Sequence, residues 1–389
     1  MKKRLACLWL EENKMRLTAK ILKKPITSAL LAIVCGFLVA AIVLAAAHYN
    51  PWQAFGALFS GMFARPKYIS NVIIKATPII LTGLSVAFAF KTSLFNIGAE
   101  GQYIVSAMVV TMLGVKLNLP AVIQIPVLMV AGIAAGGIWG GFVGLLKAKF
   151  GIHEVITSIM LNWIAFYLSN YIVNLPAFHQ PNSTGTYPIN QSGYIVLLPN
   201  WKTSPQGIAS LEKTPWLKEI MLKTDVNFGF IIALVMAVLI WFLLSRTSKG
   251  FELCAVGYNK DAAEFAGINV NKNLFDAMLI SGALSGLAGA VAVMGTNPHN
   301  ISTLAAFENN GFNGLSVAFI AGGSPIGCIF AGLLFGGFLY GGQTVQSEVG
   351  APSEIINIMM GTIVFFMALT KVVQVFADKL AKGSAAHAE

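Results

Sequence analysis

Apolar residues in this chain run in long uninterrupted blocks. Strands would alternate every second residue, and a soluble helix would carry a single apolar stripe. Ten blocks can be drawn, at about 26–47, 70–90, 102–117, 121–146, 154–175, 227–245, 273–294, 308–323, 325–343 and 354–376. Most approach the roughly 20 residues that a helix needs to cross a bilayer core of about 30 Å. The blocks at 102–117 and 308–323 are short and read as half-helices. The pattern predicts an all-α polytopic membrane protein with about ten transmembrane helices.

Composition agrees with that reading and removes others. Of 389 residues, 56% are hydrophobic and 11% charged, with a mean hydropathy of +0.72. No ordinary soluble domain has this balance. A net charge of +10 would suggest nucleic acid in a soluble protein. Here most Lys and Arg flank apolar blocks, where they set orientation, and no nucleic-acid partner is expected. With both termini cytoplasmic, 18 of the 26 Lys and Arg fall inside and 7 outside, leaving Lys75 in a span. The expected organisation is a cytoplasmic segment 1–25, a transmembrane domain 26–376 and a cytoplasmic tail 377–389, with an extracytoplasmic loop at 176–226 and a cytoplasmic loop at 246–272. The block 26–47 is longer than a signal-peptide core of about 7–15 residues, which favours an uncleaved first span. Lys75 either snorkels to headgroups or faces a pathway.

Polar residues interrupt the blocks at few places. After Leu81–Phe90 the chain meets Lys91 and breaks into FNIGAEGQ, residues 95–102, with Gly98 and Gly101 around Glu100. Glycine costs a helix interior roughly 1 kcal/mol relative to alanine, so a broken helix is expected. Lipid cannot satisfy the freed backbone groups, which leaves a break buried in protein, a wall of a wet cavity, or a solvated surface loop. Asn96, Glu100 and Gln102 there, Asn162, Trp163 and Phe166 in the fifth block, and Asn309 and Asn313 near the eighth are candidate pathway residues. Amides donate and accept without net charge, as a neutral polyhydroxylated ligand requires, and the aromatics can stack on a base. Helix–helix hydrogen bonding and turn formation account for at least half of the same residues.

Glycine-rich runs at 132–144, 282–289 and 332–342 predict close helix packing in lipid. GLSVAF occurs at 83–88 and again at 314–319, which biased composition can explain by chance. The proline-rich loop 176–226 contains LEKTPWLKEIML, residues 211–222, patterned as an interfacial amphipathic helix. In the loop 246–272, DAAEFAG forms a short helix closed by Gly267. No G-x-x-x-x-G-K-[ST] loop is present. His153-Glu154 lacks the second His of a zinc-protease motif, and the four cysteines are scattered. No catalytic residue, metal site or bound cofactor is expected, and with no nucleophile–base or metal pattern an intramembrane enzyme is disfavoured.

Two motifs carry a resemblance. GLSVAFAFKTSLFNIGAEGQ resembles the signature of membrane permeases of bacterial ABC importers, in the branch that serves nucleosides through a lipoprotein receptor of the basic-membrane-protein type. FNIGAEGQ is similar to the longer of two paired permeases in that branch. AVGYNKDAAEFAGINV, residues 255–270, is similar to the coupling-helix segment of such permeases. The resemblance implies that Gly257, Asn259, Asp261, Ala262, Ala263 and Gly267 meet a nucleotide-binding subunit. It further implies a multi-pass protein of the bacterial inner or plasma membrane, a second homologous permease, an ATPase with tandem nucleotide-binding domains that binds ATP and Mg, and a substrate-binding lipoprotein. The contrasting expectation is a self-sufficient secondary transporter or channel for a small neutral polar solute.

Overall fold

The computed structural model describes residues 25–352 and 354–369. The segments expected to be cytoplasmic at 1–25, apart from Pro25, and at 377–389 lie outside the described residues. Among the described residues the fold is helical, with isolated bridges in place of strands. In chain order the helices are α1 (Pro25–Ala46), α2 (Pro51–Phe63), α3 (Pro66–Phe90), α4 (Ala99–Lys116), α5 (Ala121–Phe150) and α6 (Glu154–Val173). Three short helices follow, α7 (Pro199–Lys202), α8 (Pro205–Glu212) and α9 (Pro215–Lys223). Then come α10 (Gly229–Arg246), α11 (Ser248–Tyr258), α12 (Lys260–Phe265), α13 (Val270–Gly295), α14 (Asn310–Ile320), α15 (Pro325–Val349) and α16 (Glu354–Ala368). Many begin on proline, whose fixed φ suits the first helical position and whose missing N–H would be unpaired there in any case.

Each of the ten apolar blocks overlaps one helix within the described residues, and residues 370–376 of the last block lie outside them. Six helices, α3, α5, α6, α10, α13 and α15, are long and apolar enough to cross a membrane. Leu30–Ala46 and Glu354–Met367 are shorter apolar stretches. The half-helix expectation falls on α4, which starts directly at the break, and on α14, which has only 11 residues. Pro51–Phe63 is a helix that the apolar pattern does not separate from its surroundings.

The chain divides into two compact units. Residues 58–343 form one, and the described residues on either side of that stretch form the other. In the latter, α1 packs on α16 so closely that a Cβ on Gly36 would lie 2.2 Å from the Ile363 side chain. In the larger unit the glycine runs find each other. Gly132, Gly136 and Gly140 on α5 face Gly282 and Gly286 on α13, where a Cβ on Gly136 would sit 2.5 Å from the Gly282 carbonyl oxygen. In lipid, where apolar surface gains nothing by pairing, this contact between backbones supplies the attraction. Gly332 and Gly336 on α15 meet Ile80 and Ala76 on α3 in the same way. The core of this unit is α3, α4 and α13, whose Leu81, Leu84, Val110, Ala288 and Met294 are buried.

The loop 176–226 is ordered against the last turn of α13 and the segment that follows it. Thr186 and Ile189 donate backbone N–H groups to Ile301 and His299, and Ile195 donates to Met294. The amphipathic stretch 211–222 is two helices, because Pro215 opens α9 after α8 has ended.

Candidate functional site

The break between α3 and α4 is real and buried. Past Phe90 the chain turns at Lys91–Ser93, with Ser93 in the left-handed region at φ 54°, and re-enters helix at Ala99. Asn96, Glu100 and Gln102 have no exposed surface. A helix that starts inside protein leaves N–H groups that need partners, and Gly98 offers no side chain to cap α4. Asn162 of α6 does this from outside. Its Oδ1 accepts from the Gly101 N–H at 2.9 Å, and its Nδ2 donates to the Ile97 carbonyl at 3.1 Å. Gly101 has no Cβ because one would stand 2.7 Å from that same Oδ1.

Glu100 reaches the opposite way. Its carboxylate accepts from the backbone N–H of Asn309 at 2.9 Å and of Gly311 at 2.5 Å, the first N–H groups of α14. Asn309 precedes α14 with φ 64° and gives it no side-chain cap. A negative group at a helix N-terminus is favourable both for the unpaired donors and for the dipole. Glu100 is therefore the cap of a helix that begins more than two hundred residues later. Close approach is needed, and Gly311 allows it, since a Cβ there would lie 2.2 Å from the Glu100 nitrogen.

Asn96 and Gln102 face a third side. Asn96 Nδ2 donates to Gln102 Oε1 at 2.9 Å and to Ser281 Oγ at 2.7 Å, and Gln102 Nε2 returns a bond to Asn96 Oδ1 at 3.1 Å. Ser85, Ser281 and Ser285 complete this cluster between α3 and α13. These amides spend their capacity on each other.

Trp163 and Phe166 sit beside the cap. Phe166 is buried, whereas Trp163 is 45% exposed. Phe307 lies 4.9 Å from Trp163 and 5.1 Å from Phe166, centroid to centroid, and Tyr167 stacks on Trp163 at 6.0 Å. Asn309 is exposed and Asn313 half-buried at the near end of α14. The structure thus gathers Asn96, Glu100, Gln102, Asn162, Trp163, Phe166, Asn309 and Asn313 at one locus, in two layers. Phe307 and Tyr167 are further members that the sequence did not single out, because isolated aromatics in apolar surroundings carry no distinguishing pattern.

The loop 246–272 forms a separate locus. Asn259 caps α12 by accepting from the Ala262 N–H at 3.0 Å. Gly267 ends it at φ +81°, a conformation that disfavours any Cβ. Ala263 is buried, while Asp261 and Ala262 are exposed. Tyr258 and Phe265 are 94% and 97% exposed and make this face far more apolar than its charges suggest. Gly257 packs on the turn after α3. Its carbonyl accepts from Ser93 Oγ at 2.6 Å, and a Cβ would stand 2.0 Å from the Lys91 carbonyl oxygen. The base of α11 is held by Lys249, 2.6 Å from Asp276 and 2.8 Å from Asn273 Oδ1.

Against known proteins, residues 68–369 match the family described as branched-chain amino acid transport system / permease component. The chain belongs to this permease family. It is 38% identical over 356 residues to the guanosine ABC transporter permease protein NupP of Bacillus subtilis (strain 168), covering 92% of this chain and 97% of that protein. It is 33% identical to the nucleoside ABC transporter permease protein NupB of Lactococcus lactis subsp. cremoris (strain MG1363), over 90% of this chain and 92% of that protein. It is also 27% identical, over 68% of this chain and 78% of that protein, to the guanosine ABC transporter permease protein NupQ of the same Bacillus. No solved structure matches the chain. As a family member the chain is a multi-pass transport permease and not an enzyme.

Proposed function

We propose that this permease forms the translocation pathway of an ATP-driven ABC importer for nucleosides. The observation that carries the substrate class is the near end-to-end similarity to the guanosine permease NupP. Similarity to both NupP and NupQ from one organism supports a second, homologous permease as the partner. In this reading a separate ATPase with tandem nucleotide-binding domains binds ATP and Mg, a lipoprotein delivers substrate, and the assembly lies in the bacterial inner or plasma membrane with both termini of this chain cytoplasmic.

Trp163, Phe166, Asn309 and Asn313 then face the pathway. Asn96, Glu100, Gln102 and Asn162 hold the broken segment behind them. An aromatic surface bordered by uncommitted amides suits a heteroaromatic base with a sugar, since stacking and neutral hydrogen bonds both find partners. Gly257, Asn259, Asp261, Ala262, Ala263 and Gly267 shape the coupling helix, and the exposed Tyr258 and Phe265 are its contact with the ATPase. Cells lacking this chain and complemented with it should regain saturable, ATP-dependent uptake of labelled guanosine that unlabelled nucleosides compete away. Competition by glucose alone would overturn the substrate class, which the 29% identity to the glucose ABC transporter permease protein TsgB13 of Haloferax volcanii makes the relevant control. Uptake by this chain alone under an ion gradient would overturn the ABC mechanism in favour of secondary transport.

A further inference from the structure

A cavity of about 510 Å³ opens between α3, α9 and α10, lined by Ile69, Ile73, Ile74, Trp216, Ile220 and Ile231 among others. That volume lies within the range of roughly 300–1,000 Å³ seen for ligand pockets. Its few polar residues are already engaged. Ser70 and Thr224 hydroxyls pair at 2.9 Å, Thr77 donates to the Ile73 carbonyl, and Asn227 bonds the Asp225 and Gly295 carbonyls and the Gly229 N–H. Among the lining side chains only the indole N–H of Trp216, a residue 58% exposed, remains to meet a polar group, so the occupant is hydrocarbon inside and keeps its polar part at that rim.

Length and position say which hydrocarbon. The lining runs along α3 from Pro66 to Thr77, roughly 16 Å at 1.5 Å per residue, close to half of a bilayer core of about 30 Å. It begins where α3 and α10, both helices able to span, have their first turns. Ile69 and Ile231 on its rim are exposed, so it opens toward lipid. At that end Arg65 and Lys67 flank Pro66, and Lys223 follows Ile220 by one turn. Two acids lie near. Asp225 accepts from the Asn297 N–H, Glu219 is adjacent to Ile220, and Lys218 is paired with Glu212. Arg65, Lys223 and Lys67, whose ammonium lies 5.2 Å from the Tyr68 ring centroid, outnumber Asp225 and Glu219 by one charge in the segments that border the mouth. We propose that this cavity holds one acyl chain of an anionic phospholipid from the leaflet on the side of loop 176–226, its phosphate headgroup held by Arg65, Lys67 and Lys223.

The test is native mass spectrometry of the assembled transporter released from membranes containing both phosphatidylglycerol and phosphatidylethanolamine. Retained phosphatidylglycerol is expected on the unaltered complex. Ile73→Trp, which fills the cavity, should lose it, and Arg65→Gln with Lys67→Gln should lose the preference for the anionic lipid while still retaining one. Val130→Trp, on an exposed face of α5 away from the cavity, should change nothing. Assembly and melting temperature of each variant separate lipid loss from misfolding. Equal retention of the two lipids by the unaltered complex, or undiminished retention by an assembled Ile73→Trp complex, overturns the proposal.

Discussion

Glu100 is the residue on which the broken segment depends. It is buried, and what makes a buried carboxylate tolerable is the pair of N–H donors at the start of α14. Replacing it by an amide keeps the shape, yet one of the two oxygens becomes an NH₂ that points a donor at a donor. Leaving a buried backbone N–H unpaired costs about 1–3 kcal/mol. Glu100→Gln is therefore expected to lower the melting temperature of the purified protein and to reduce uptake, while membrane insertion, set by the apolar blocks, stays normal. An unchanged melting temperature would show that α14 does not rely on this cap. Asn162→Leu should behave similarly, because Gly101 and Ile97 both lose their partner. Neither link is legible from the sequence. Asn162 looks like any amide in an apolar run, and its partners lie about sixty residues away. The importance of FNIGAEGQ was readable from its glycines and its charge, but which groups it would pair with was not.

Among the helices, the long apolar spans were legible because a bilayer imposes length and continuity, and their glycine runs announced close packing without naming the partner. The paired GLSVAF segments illustrate the gap. They lie face to face, a Cβ on Gly83 falling 2.7 Å from Val317 and one on Gly314 falling 2.2 Å from Thr82, whereas the sequence offered only a recurrence. Glycines at such crossings and glycines in open space should respond oppositely. Gly286→Val puts side-chain atoms against the backbone of α5, where a Cβ alone would be 2.4 Å from the Gly132 carbonyl oxygen. The expected result is loss of folded protein from the membrane, as overpacking commonly costs about 1–3 kcal/mol or more. Gly361→Ala, inside α16 with nothing within 4 Å, should instead raise the melting temperature slightly, since alanine in a helix gains roughly 0.5–1 kcal/mol over glycine. The ordered loop has its own control. His299 stacks on Tyr194 at 3.7 Å and bonds the Val293 carbonyl, and burial pushes its imidazole below the ordinary value of 6.5. Asp225 opposes that shift and Lys202 adds to it. The folded state thus prefers neutral His299, so the contribution is complete above the unfolded pKa and is lost as pH falls below it. Melting temperature should drop as pH falls below the ordinary imidazole value of 6.5, and His299→Asn, which tolerates the same positive φ, should flatten that slope.

At the scale of the larger unit, a continuous chain of contacts leads from the exposed α12 to the broken helix. Tyr258 and Phe265 stand out from the face of α11 and α12, and Gly257, next to Tyr258, rests on the Lys91–Ser93 turn through the Ser93 hydroxyl. That turn is the start of the segment carrying Asn96 and Glu100, and Glu100 holds α14. In the proposed importer, a push on Phe265 by the ATPase would have these contacts to follow toward the aromatic and amide surface around Trp163. Sequence similarity to coupling helices pointed to Gly257, Asn259, Asp261, Ala262, Ala263 and Gly267 as one group meeting a nucleotide-binding subunit, but it gave no hint that Gly257 turns inward onto the Lys91–Ser93 turn. Gly267 is a poor probe of coupling, because its positive φ strains any substitute whatever binds beside it. Gly257→Ala is the better one. Its Cβ would stand 2.0 Å from a backbone oxygen, so α11 must lift off the turn while α12 keeps its exposed face. The expected outcome is a complex that assembles with its ATPase and hydrolyses ATP at the basal rate, with uptake and substrate-stimulated hydrolysis much reduced. Phe265→Asp should fail earlier, at assembly, because it places a charge where an apolar surface is proposed to meet the ATPase. If Gly257→Ala transports at the rate of the unaltered protein, motion does not pass through the Lys91–Ser93 turn, and the route from α12 to the broken helix must run instead through α13, which follows α12 directly in the chain.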